Sequence, residues 1–139
     1  MRMSVTTFVL GLAFGIALPL HAQRTLDEAA QGARYAFMAH DGRMLATSAD
    51  SLVLRLPGSD EVMVRSGQAS RLINKYLEPA AERSFELRTV RETDEGQGYA
   101  EAVRRYVVRG TADVVEENVY LRFRRGSGRW KLTEIRITP

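Results

Sequence analysis

Few residues of this chain are suited to chemistry. His40 stands beside Asp41 and is followed by Gly42. An imidazole next to a carboxylate is raw material for acid–base catalysis, because it titrates near neutral pH. Adjacent residues on a helix point about 100° apart, however. Gly42 also suits the left-handed residue that ends a helix, and polar side chains there serve as caps. The pattern therefore predicts a capping or surface role for His40 and assigns no catalytic residue. No second ligand follows it at helical spacing, so no zinc site is expected. The absence of cysteine excludes disulfides, thiolate metal sites and a cysteine nucleophile. Gly96-Gln97-Gly98 and Gly126-Ser127-Gly128 read as turns, since neither leads from a strand into a helix bearing a lysine. No cofactor is expected.

The arginines form the second pattern. Arg104, Tyr106 and Val108 alternate with Arg105, Val107 and Arg109, and Arg122 and Arg124 alternate with Leu121 and Phe123. Period-two arginine is what a sheet with one wet face looks like, and such charges also block edge pairing. The functional alternative is an anion-binding surface built on Arg122, Arg124, Arg129 and Lys131, for phosphate headgroups, acidic polysaccharide or an acidic protein. The charge is uneven enough to permit this. Residues 23–118 carry 13 basic against 16 acidic side chains, while residues 119–139 carry six basic against Glu134 alone. Nucleic acid fits poorly, because no exposed aromatic-basic motif accompanies the charge.

The first 22 residues read as a leader. Arg2 gives a short positive start, Phe8 to Leu20 is an uncharged apolar run, and Leu20-His21-Ala22 offers a cut before Gln23. The run is too short to span a bilayer, which takes about 20 apolar residues. Residues 1–22 are thus expected to be a signal peptide. Residues 23–139 would then be one exported domain, periplasmic or secreted, with no integral membrane segment. Without disulfides, that domain must rest on its core alone.

Thr25-Leu-Asp-Glu28 is a capping box, so a helix is expected from Leu26 to about Ala39, with Leu26, Ala30, Ala33 and Phe37 on its buried face. Its alanines would let it lie close to a sheet. Arg43 to Asp50 reads as a short helical turn, Ser51 to Leu56 as a strand, and Glu61 to Val64 as a further extended piece. Ser66 caps a second long helix, Gly67 to Leu77, striped by Ala69, Leu72, Ile73 and Tyr76. Four strands follow: Phe85–Thr93, Tyr99–Gly110, Val119–Arg125 and Arg129–Ile137. In the last, Trp130 and Leu132 share one parity and Ile135 and Ile137 the other. A bulge near Thr133-Glu134 would restore one core face and bend the sheet. Leu72, Ile73, Phe85, Leu121, Trp130 and Ile135 are expected to form the core. Helices followed by a bent meander make an α+β domain.

The order of these elements resembles the NTF2-like, cystatin-like cone fold: N-terminal helices packed on a curved antiparallel sheet of four to five strands. The closest likeness is to the exported bacterial family called domain of unknown function 4783. It is carried by His40-Asp-Gly-Arg-Met-Leu-Ala46, Leu52-Val-Leu-Arg-Leu56, Ser66-Gly-Gln-Ala69, Tyr106-Val-Val-Arg-Gly110, Val119-Tyr-Leu-Arg-Phe123 and Trp130-Lys-Leu-Thr-Glu-Ile-Arg-Ile137. That family brings a fold and a compartment but no chemistry. Enzymes of this superfold use polar residues at the mouth of the cone, and the resemblance makes Tyr35, Asp41, Tyr76 and Tyr106 the pocket candidates, with Trp130 as a wall. The plainer reading is core aromatics with wet hydroxyls, since the pattern sets no buried carboxylate beside them. The resulting expectation is a non-catalytic domain binding an unknown small ligand or protein partner. The alternatives are an isomerase- or hydrolase-like enzyme working in the cone, and a scaffold that forms homodimers through its sheet.

Overall fold

A computed structural model describes residues 25–139, so the expected leader and its expected cut site lie outside the described residues. The Thr25 hydroxyl accepts from the Glu28 amide at 3.1 Å and starts α1, Leu26–Met38. Leu26, Ala30, Ala33 and Phe37 are buried, and so is a second stripe of Ala29, Gly32 and Ala36. The left-handed residue after α1 is His40, with φ of +54°, and not Gly42. Gly42 instead opens α2, Gly42–Ala46, which Asp41 caps by accepting from the Met44 amide at 3.0 Å. Glycine is needed there for space. A Cβ at Gly42 would lie 2.5 Å from Asn74 Oδ1 and 2.7 Å from the Ser70 carbonyl.

The remaining elements are β1, Ser51–Arg55; β2, Val62–Arg65; α3, Ser66–Leu77; β3, Ala80–Glu92; β4, Gln97–Val108; β5, Val114–Gly126; and β6, Arg129–Thr138. Ser66 lies inside α3, and Arg65 at its N-cap makes no side-chain cap bond. The sheet has six strands in the order β2-β1-β6-β5-β4-β3, more than the four or five expected. The extra pair is the β1–β2 hairpin. Its β1 runs parallel to β6, with Val53 opposite Glu134 and Leu54 opposite Ile135. The pairing places Leu52 and Leu54, each 1% exposed, in the core, which a free hairpin of this size could not do.

Three bulges shape the concave face. Arg122 pairs with Glu134 and Phe123 with Leu132, so Thr133 is the extra residue. Trp130, Leu132, Ile135 and Ile137 all become buried on one side, as the parity switch requires. Register shifts in β3 leave Arg83 and Arg88 unpaired, which brings Glu82, Phe85, Leu87 and Val90 toward the helices. Ile73, Phe85, Leu121, Trp130 and Ile135 form one buried cluster with Leu72 packed partly against it.

Candidate functional site

Two features occupy the space between helices and sheet. The first is a cavity of about 320 Å³ under α1 and α2. Ala29, Gly32, Ala33 and Ala36 form its roof. Leu45, Met44, Phe123, Trp130 and Leu132 form its apolar walls. The small residues of α1 do not only permit close packing; on one stripe they leave room. The β6 edge is open beside it, because β1 pairs only with residues 134–136, and the Ser48 hydroxyl instead accepts from the Leu132 amide at 2.9 Å. Asp41, Arg43, Thr47, Ser48, Arg129 and Lys131 complete the lining.

The second feature is a buried ionic cluster at the other end of the cone. Arg104 is fully buried on β4, directly opposite Glu117 of β5. Its guanidinium reaches Glu117 Oε1 at 3.3 Å and holds both oxygens of Glu82. Tyr76 of α3 donates its hydroxyl to Glu117, and the Tyr106 ring lies 4.1 Å from the Arg104 guanidinium carbon. His40 Nε2 sits 3.0 Å from Glu82. Burial works against the Arg104 charge, but the bond to Glu82 and the charges of Glu82 and Glu117 outweigh it. Burial, and then the bond to Glu117, pushes the Tyr76 phenol above its usual range; Tyr106 moves the same way for the same reasons. Two carboxylates held by one guanidinium, a phenol and an imidazole form a satisfied network, which is the condition for tolerating buried charge.

The residues singled out in the sequence are thus divided. Asp41 and Trp130 line the cavity, Tyr76 and Tyr106 belong to the ionic cluster, and Tyr35 is 59% exposed on the far side of α1. Arg122 and Arg124 are exposed on the outer face of the sheet. There Arg122 lies 3.9 Å from Glu134 and Arg124 stands opposite Lys131. Arg129 and Lys131 reach the cavity rim. His40 is half-buried and paired, not a free helix end. Sequence reasoning missed Glu82, Arg104 and Glu117. Arg104 shares parity with the buried Ala100 and Ala102, which was the available signal. Among the described residues, no three His, Asp or Glu side chains are grouped so as to hold a metal ion.

No family model matches the chain, and no curated protein matches it. Solved structures do. A ketosteroid isomerase-like protein from Erwinia carotovora atroseptica superposes with a TM-score of 0.69 at 16% identity, covering 82% of this chain and 95% of that one. A domain of unknown function 4783 family protein from Bacteroides uniformis gives 0.66 at 16%, covering 77% and 93%. A cystatin-like domain of unknown function from Nostoc punctiforme gives 0.65 at 13%, covering 82% and 77%. The chain has the NTF2-like fold. In NTF2-like terms, the ionic cluster fills one end of the cone, and the cavity opens at the other, under α1 and α2. At these identities the likeness carries the architecture and no activity. No described helix is long and apolar enough to cross a membrane.

Proposed function

We propose that this is an exported, non-enzymatic NTF2-like domain that holds a small ligand in the cavity under α1 and α2. The observation that carries the reading is the cavity itself: a roof of Ala29, Gly32, Ala33 and Ala36 over walls of Phe123, Trp130 and Leu132. Its volume falls at the low end for small-molecule sites, and its lining is apolar with a few polar groups, as such sites are. Two of its polar groups are employed in local structure. Asp41 caps α2, and Ser48 receives the Leu132 amide. The buried carboxylates lie in the other cluster, where Arg104 holds them. The use of Asp41 and Ser48 in local structure supports a reading of binding without turnover.

Trp130 is the only tryptophan of the chain and lines the cavity, so its emission reports occupancy. The neutral dye N-phenyl-1-naphthylamine is expected to bind with energy transfer from Trp130. Ala33→Phe, which fills the roof, is expected to weaken binding at least tenfold, about 1.4 kcal/mol. Ala29→Val is a milder second variant with the same direction. Dye that binds both variants as well as the parent places the site elsewhere. Export is a separate matter resting on residues 1–22. The exported form is expected to begin at Gln23 on N-terminal sequencing, and an intact Met1 on it would reject the leader.

A further inference from the structure

We infer that β2 is a self-pairing edge: two copies of this chain join antiparallel through it, with Met63 on the two-fold axis, and continue one sheet across the contact. The sheet ends in β3 on one side and β2 on the other, and the two edges are built differently. The β3 edge carries Arg83 and Arg88 at its bulges, and charge and bulge both block pairing with another strand. From Val62 to Val64 the β2 edge has no charge, no proline and no register shift. It also shows apolar side chains, with Val62 41% and Met63 73% exposed. The Ser66 amide donates to the Asp50 carbonyl at 3.2 Å, which fixes the alternation along the β1–β2 ladder. Val62 and Val64 therefore spend their N–H and C=O on β1, while Met63 and Arg65 turn theirs to the open edge. What fits that edge follows from Glu61-Val-Met-Val-Arg65. Run antiparallel to itself about Met63, this segment sets Glu61 opposite the partner's Arg65 and Val62 opposite the partner's Val64. Opposite charges then meet at both ends, with apolar pairs between them. The valine pairs fall at the positions without backbone bonds, where side chains approach more closely. Among the described residues, no carboxylate lies within ion-pair distance of Arg65, and Glu61 meets Arg136 through one oxygen at 3.4 Å. An unrelated extended peptide could use the same backbone groups but would not match this order of charges. A contact this short is weak and reversible.

The test is sedimentation equilibrium of the purified protein from micromolar to about 1 mM, where the mass is expected to rise from monomer toward dimer. Met63→Pro removes an N–H that β1 does not use, and proline is tolerated at such edge positions. It should weaken association about tenfold or more, whereas Met63→Leu, which keeps the N–H, should change it less than about twofold. Glu61→Arg sets arginine opposite arginine, and Arg65→Glu sets glutamate opposite glutamate, so each variant alone should stay monomeric. Mixed in equal amounts, the two should associate at least as well as the parent, because every arginine then meets a glutamate. That recovery should weaken with salt, since the pairs are exposed. Thermal unfolding checks that each variant is folded; if Met63→Pro is not, the mixture decides. A monomer at every concentration overturns the inference. Association that Met63→Pro leaves unchanged, or a mixture no stronger than either charge variant alone, also overturns it and places the contact on another surface, such as the outer face of the sheet.

Discussion

Arg104→Met is expected to cost about 3–5 kcal/mol of folding stability, read from urea unfolding. The side chain is fully buried and is the shared partner of Glu82 and Glu117. Its removal leaves two carboxylates, 5% and 4% exposed, without the guanidinium that joins them. The methionine replaces the lost volume, so the cost reports uncompensated charge and not a cavity. A triple variant with Glu82→Leu and Glu117→Leu added should recover most of the loss, because the buried charge leaves together. A single-variant cost below about 1 kcal/mol would mean that water or relaxation reaches the cluster. The same network limits stability in alkali. The folded state keeps the Tyr76 proton at pH values where the unfolded phenol, which titrates near 10, has lost it. That contribution is complete below pH 10 and declines as pH rises above it. Tyr76→Phe, though less stable at neutral pH, should show a shallower alkaline decline.

The helices and the C-terminal meander were legible because local signals agreed with the fold. The Thr25 capping box, the Leu26–Phe37 spacing and the parity switch around Thr133 each had a physical meaning that the structure repeats. The β1–β2 hairpin was legible as extended chain but not as sheet, since its partner β6 lies some 80 residues away and leaves no local mark. The ionic cluster was hidden for two reasons. Arg104 belongs to a run of alternating arginines that reads as a solvated sheet face, although Ala100 and Ala102 fix its parity inward. Glu82 and Glu117 fell outside the strands as expected from the sequence. Only the bulge at Arg83 and the early start of β5 at Val114 turn them into the cone. The cavity was unreadable for a different reason. A stripe of small residues on α1 predicts close approach or empty space equally well, and the position of α2 decides which.

That roof is held in place by one aromatic contact, and it supplies the second large effect. Phe37 of α1 and Phe85 of β3 stack with centroids 4.9 Å apart, and they are 0% and 2% exposed. Arg34 of α1 donates to the Phe85 carbonyl at 2.8 Å, fixing the same crossing from its polar side. Phe37→Ala and Phe85→Ala are each expected to cost about 3–5 kcal/mol, lost transfer energy plus the space left in a close-packed core. The double variant should cost less than the two together by about 0.5–1.5 kcal/mol, because each single change already removes the stacking. Exact additivity, within about 0.5 kcal/mol, would show that the pair contributes area and no specific contact. The consequence for binding is separable from stability. Neither ring lines the cavity, yet α1 carries both Phe37 and the Ala29–Ala36 roof. In Phe37→Ala protein kept folded at low temperature, the roof should sit less firmly over Trp130, and dye affinity should fall although every lining residue is intact. Unchanged affinity there would mean that α2 and the β6 edge hold the cavity without help from the α1–β3 crossing.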